Sequence, residues 1–220
     1  MKNSRKGKRF RFFFHGGPTL GDLVESLGVP HTEVGRVRVN QKKATLKRHL
    51  KSGDAIDIDP NQAIPGRTPK FILDVHLGKL ARYLRIFGFD TLYKNDWTDR
   101  QIVELAVKLN RFVLTRDVGI LKHKRIRKGY WVRQTDPEKQ IRELMERLSL
   151  YGKTNPFRIC LACNGRLRRV PKEKVADRLP LKTRQYFDRF YRCKGCHKIY
   201  WPGSHYERMK AFVEANSRSS

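Results

Sequence analysis

The chain has 220 residues, 39% of them hydrophobic, enough for one large folded unit or two to three small ones. No apolar run reaches the about 18 residues that a bilayer span needs, and MKNSRKGKRFRFFF lacks the apolar core and cleavage site of a secretory signal, so no membrane role and a cytoplasmic location are expected. With 49 Lys and Arg against 21 Asp and Glu, the net charge of +28 calls for a polyanionic partner; nucleic acid fits, whereas no basic amphipathic helix suits an acidic membrane surface.

Residues 1–8 are polar and basic and read as a disordered tail. Residues 9–60 carry a compact pattern. RFRFFFH is strand-like, and GGPTLGDLVESLGV is a turn and a short helix with Thr19 as cap and Leu20, Leu23, Val24 and Leu27 on one face. GRVRVN alternates as a strand, and KSGDAIDIDP is a turn with a closing strand. Strand, helix, strand, strand in about fifty residues suggests a β-grasp unit. NQAIPGRTP, residues 61–69, has the prolines and glycine of a linker.

Residues 70–154 alternate strands with helices, which predicts a parallel sheet in an α/β unit. KFILD is a buried strand, VHLGKLARYLRIFG a helix with Leu77, Leu80, Ala81 and Leu84 inward, and FDTLYK a second strand. TDRQIVELAVKLN is a helix capped by Thr98, RFVLT a third strand, LKHKRIRKG a basic segment, YWVR a fourth strand and PEKQIRELMERLSLYG a last helix.

Residues 155–205 form a third module, with 206–220 as a C-terminal helix or tail. Its CLAC and CKGC hold all four cysteines, Cys160, Cys163, Cys193 and Cys196. Two C-x-x-C knuckles bring four thiolates around one tetrahedral ion, so a structural Zn²⁺ in a zinc ribbon is expected; reduced cytosolic thiols argue against disulfides. Four sulfurs leave no open coordination position and leave His197 and His205 outside the shell. The insert KEKVADRLPLKTRQYFDR should add a helix. Arg166, Arg168, Arg169, Lys172 and Lys174 alternate with Tyr186, Phe187, Tyr191, Tyr200 and Trp201, a mixture suited to phosphates and unpaired bases, although a module this small also needs aromatics for its core.

Three aspartates occupy related places. Asp74 follows the first strand of the middle unit, Asp99 opens its second helix, and Asp117 follows the third strand. Just beyond the carboxyl ends of parallel strands such residues share one crevice. Gathered carboxylates repel unless a cation sits among them, and Mg²⁺ or Mn²⁺ held there can polarise a phosphate and activate water. Asp99 and Asp117 also suit plain helix and turn capping; Asp96 and Glu104 are reserve ligands. Arg82, Arg85 and Arg116 could hold phosphates near such a site, with Lys122, Lys124, Arg125, Arg127 and Lys128 extending the path toward the ribbon.

FILDVHLGKLARYLRIFGFDTLY, TDRQIVELA, RFVLTRD and the two knuckles together resemble the Mut-seven C-terminal ribonuclease family, over roughly residues 69–202. The resemblance implies a PIN-type nuclease domain followed by a zinc ribbon, with Asp74, Asp99 and Asp117 as the Mg²⁺ or Mn²⁺ ligands of an RNA-cleaving site. It places an ubiquitin-like domain over 9–60, a possible protein-recruiting unit. That segment is also similar to the β-grasp sulfur carriers of molybdopterin and thiamine synthesis, but it runs on through DIDPNQ where carriers end on Gly-Gly. Two departures stand out: Gly119 occupies a position where related proteins often carry another acid, and His76 one more usually small or polar. The expected substrate is RNA (tRNA, rRNA or the ribosome). The rival expectation is a non-catalytic RNA- or ribosome-binding protein; a toxin role has only the PIN resemblance behind it.

Overall fold

The computed structural model describes residues 9–61 and 68–217; the tail expected at 1–8 and most of the 61–69 linker lie outside the described residues. Helix α1 (Leu20–Ser26) starts where Thr19 can cap it: the Thr19 hydroxyl accepts from Asp22 N at 3.2 Å, and the Asp22 carboxylate accepts from Thr19 N at 2.8 Å. Leu20, Leu23 and Val24 then face an antiparallel sheet of β1 (Val34–Val39), β2 (Lys42–Lys43) and β3 (Ile56–Pro60), ordered β2-β1-β3. RFRFFFH, expected to be a strand, is not one. In this sheet β1 already has neighbours on both sides; Phe14 packs on the core while Phe13 stays 88% exposed.

The middle unit is a four-stranded parallel sheet. Its strands are β4 (Phe71–Leu73), β5 (Thr91–Leu92), β6 (Phe112–Thr115) and β7 (Gly129–Trp131), in the order β5-β4-β6-β7. Side-chain alternation sorts the two faces. Phe71, Leu73, Leu114 and Tyr130 pack with α2 (Gly78–Ile86) and α5 (Pro137–Arg147), whereas Ile72 and Val113 pack with α3 (Asp99–Lys108) and α4 (Val118–Lys122). Both faces of the sheet are thus covered, which is why FIL reads as an unbroken apolar run. The helix expected over 75–88 begins instead as a 3-10 turn, Val75–Leu77, because Asp74 caps that turn through His76 N at 2.9 Å.

The third module is an antiparallel sheet of β8 (Leu167–Val170), β9 (Phe190–Cys193) and β10 (Ile199–Tyr200), ordered β10-β9-β8. The insert between β8 and β9 supplies two 3-10 turns and helix α6 (Leu181–Tyr186). Helix α7 (Ser204–Asn216) is more than a tail. Met209, Phe212 and Val213 pack on the core of the middle unit, and Phe212 stacks on Tyr83 of α2 at 4.6 Å. Gly88 permits the close crossing before the ribbon: its φ is +87°, and a β-carbon there would lie 1.9 Å from Asn155 O. Among the described residues no helix is long and apolar enough to cross a membrane.

Candidate metal centres and nucleic-acid surface

The four cysteine sulfurs lie within 4.8 Å of one another, with Cys160–Cys196 at 3.6 Å and Cys163–Cys193 at 3.4 Å. A tetrahedral ion with bonds of about 2.3 Å sets its sulfurs about 3.8 Å apart, so the cluster fits a structural metal such as zinc. Gly165 makes room, since a β-carbon there would come 2.7 Å from Cys193 Sγ. Crowding separates the thiols. Burial opposes ionisation of Cys163, yet the Gly165 N–H and the neighbouring thiols bring it down to about 6; Cys196, despite the Lys198 N–H, is pushed up to about 12 by burial and the other sulfurs. A cation among them relieves that conflict. Tyr200, not anticipated as a partner of the cluster, places its hydroxyl 3.0 Å from Cys160 Sγ. Among the described residues the group consists of these four cysteines.

The second candidate site lies at the sheet's switch point. β4 is flanked by the strand that follows it, β5, on one side and by β6 on the other, so the chain's winding reverses between β4 and β6. In open parallel sheets the crevice at that reversal is where ligands bind. Asp74 follows β4 and Asp117 follows β6, and Thr115 joins them: its hydroxyl donates to Asp74 Oδ2 and accepts from Asp117 N at 2.8 Å. Arg116 N also donates to Asp74 Oδ2, at 2.7 Å. Asp74 is only 2% exposed and, with His76 N on Oδ1, already accepts three hydrogen bonds. A carboxylate has about four acceptor positions, so one remains.

Asp117 is exposed and caps α4 through Oδ1, which accepts from Gly119 N at 2.7 Å. Asp99 is the first residue of α3, exposed, with the cap itself supplied by Thr98 and Gln101. All three carboxylates therefore stand on the carboxyl side of the parallel strands. They are not drawn to one ion-sized point, however: among the described residues only the cysteines form a group of three or more ligand atoms within 4.8 Å. The donor set suits a hard cation taking one or two carboxylates and keeping waters, the habit of Mg²⁺. Glu104, a reserve ligand, pairs with Arg100 at 3.0 Å.

The basic residues divide. Arg82 on α2 is exposed, as are Lys122, Lys124, Arg125, Arg127, Lys128, Arg166, Arg168 and Arg169. Arg116 is half-buried and donates Nη1 to Gln134 O at 2.6 Å. Arg85 corrects the sequence expectation. It is 5% exposed and donates Nε to Thr91 O and Nη1 to Leu161 O and Ala162 O, at 3.0 to 3.1 Å, so it ties α2 to the first cysteine knuckle and has no face for RNA. Burial holds its guanidinium below the ordinary arginine value, against the pull of the Cys160 and Cys163 sulfurs. The aromatics divide as well. Phe187 and Trp201 pack in the ribbon's small core, while Tyr186 and Tyr191 remain exposed.

Residues 69–213 match the family model described as Mut7-C RNAse domain, and residues 1–64 match the one described as Mut7-C ubiquitin. No curated protein and no solved structure matches the chain.

Proposed function

This chain belongs to the Mut7-C RNAse domain family, and on that premise we propose that it is a metal-dependent ribonuclease cutting RNA phosphodiester bonds at the β4–β6 crevice. The observation that carries the reading is the Asp74–Thr115–Asp117 junction, where the Thr115 hydroxyl ties the Asp74 carboxylate to the Asp117 main chain at a topological switch point of a strongly basic protein. Asp74, Asp117 and Asp99 would hold Mg²⁺ or Mn²⁺. When bound there, such an ion supplies polarisation of the scissile phosphate and a water of lowered pKa. Asp74 is fixed in direction by the Thr115 hydroxyl and the Arg116 N–H, which donate to the same oxygen. The exposed cations of Arg82 and of 122–128 hold flanking phosphates, and the ribbon, closed by Zn²⁺ on Cys160, Cys163, Cys193 and Cys196, continues that surface.

The test is cleavage of mixed tRNA and rRNA with Mn²⁺ by wild type, Asp117→Asn, Asp99→Asn and Asp74→Asn, with folding checked by circular dichroism. Cleavage abolished in Asp117→Asn with RNA affinity retained supports the enzyme. One observation favours a second reading, a non-catalytic RNA- or ribosome-binding protein: Asp74 is largely occupied by protein donors. Tight, salt-sensitive binding without cleavage under any divalent metal selects that reading instead.

A further inference from the structure

The ubiquitin-like unit does not stand apart from the crevice. Between α1 and β1 it carries a 3-10 turn, His31–Glu33, which lies against the edge strand β7. Glu33 is 7% exposed, and its Oε1 accepts from Trp131 N at 2.7 Å. An outer N–H of an edge strand ordinarily seeks water or another strand; here a carboxylate takes the place of a neighbouring strand's carbonyl. The same carboxylate pairs with Arg133, whose guanidinium lies 5.0 Å from the Trp131 ring and 5.1 Å from the Tyr130 ring. His31 Nε2 adds a contact 2.7 Å from Ile126 O, in the basic 122–128 segment.

From Trp131 the hydrogen bonds continue into the site. Its indole Nε1 donates to Arg116 O at 3.2 Å, and Arg116 N donates to Asp74 Oδ2. Val132 N donates to Thr115 O at 2.8 Å, holding the residue that joins Asp74 to Asp117. An unbroken path thus runs from Glu33 through Trp131 and Arg116 to Asp74.

The geometry points to Glu33 as a positioning residue for the Asp74–Asp117 site, with the ubiquitin-like unit acting as a fixed brace of the nuclease crevice rather than a free recruiting module. Glu33 touches no substrate. It acts by holding Trp131 and Arg133, so that the Arg116 peptide keeps its N–H on Asp74. This inference rests on the ribonuclease reading for its effect on cleavage, while its structural core can be read without any activity.

Three readouts on the full-length chain test it. Hydrogen exchange at the Arg116 and Asp117 amides should quicken about tenfold or more in Glu33→Ala, with the Phe71–Leu73 amides unchanged, because only the braced segment opens. Glu33→Gln, which keeps an acceptor for Trp131 N, should recover most of that protection. In cleavage assays Glu33→Ala should lower kcat by roughly 10- to 100-fold with KM for RNA nearly constant, the range expected when a ligand's supporting partner is removed. Trp131→Phe, which deletes the indole donor and keeps a ring, should add little to Glu33→Ala if both act along one path. Unchanged exchange at Arg116 and Asp117 in a folded Glu33→Ala overturns the inference whether or not the chain cleaves RNA. Quickened exchange in a chain whose wild type never cleaves upholds the brace and sinks only the ribonuclease reading.

Discussion

Asp90 illustrates how one side chain can hold two modules together. Arg111 meets it with two parallel hydrogen bonds, Nη1 to Oδ1 at 2.8 Å and Nη2 to Oδ2 at 3.1 Å, and Asn164 of the first cysteine knuckle adds Nδ2 to Oδ1 at 2.6 Å. Burial pushes the Asp90 carboxyl up, but these donors more than offset it and hold the carboxyl below the usual carboxylate range. Because the folded value lies below the unfolded one, the stabilisation is present above the unfolded pKa and fades as pH falls through the folded one. Asp90→Asn should therefore lower stability to urea by about 1–2 kcal/mol at neutral pH, the pair being partly exposed, and the gap from wild type should close below about pH 4. A gap that stays constant with pH would assign the effect to packing instead of charge. Arg85 shows where residue-level reading of the sequence stops. Spaced three residues from Arg82 on α2, it suggests a shared basic face, yet it borders the apolar stripe of Ala81 and Leu84 and turns inward. Its acceptors, Leu161 O and Ala162 O, lie 76 and 77 residues away, in a loop whose place no local pattern announces.

At the scale of elements, α1, α2, α3 and α5 were legible because each writes its own evidence, whereas the short α4 at Val118–Lys122 was not anticipated. Thr19 and Thr98 both form capping boxes, and α2 and α3 show the apolar spacing that a covered sheet face demands. The strand expected at RFRFFFH does not form, since a ladder needs a partner and alternation alone does not supply one. Of the candidate site, the order of the parallel strands sets Asp74 and Asp117 after the neighbours β4 and β6, whereas the Thr115 bridge and the exposed position of Asp99 depend on tertiary geometry. The first cysteine knuckle shows such geometry acting between elements. Asn164 Oδ1 accepts from Thr91 N at 2.8 Å, so the knuckle caps β5, the open edge of the parallel sheet, while Arg85 grips both Thr91 and the knuckle carbonyls. Metal removal should then reach beyond the ribbon. Chelation is expected to quicken amide exchange at Thr91 about tenfold along with residues 158–166, leaving β3 of the ubiquitin-like sheet unaffected. Asn164→Ala should reproduce the Thr91 change with the metal still bound, as measured by metal content. An unaltered Thr91 amide after chelation would mean that the ribbon and sheet edge are energetically separate.

For the whole molecule, charge is the organising quantity. The net +28 is not neutralised within the fold, where the ion pairs among the described residues are few and most are surface pairs of small individual worth. Instead, like charges are set side by side. In the β8–β9 ladder Arg168 stands directly opposite Arg192, both exposed, and Arg169 stands opposite Tyr191. Directly opposed like charges weaken a sheet, so this pair is a cost to the free protein that a phosphate placed between them removes. The two consequences have opposite signs, which makes the argument checkable. Replacing both Arg168 and Arg192 by Gln should raise the melting temperature of the free protein slightly at low salt, with the gain vanishing at high salt as screening does the same work. RNA affinity should fall, and the slope of log K against log salt should flatten by about 0.7 for each single-strand phosphate that the variant no longer neutralises. If the double variant instead melts lower at low salt and binds RNA with an unchanged slope, Arg168 and Arg192 are structural residues of the ribbon, and the polyanion must lie along Arg82 and the 122–128 segment.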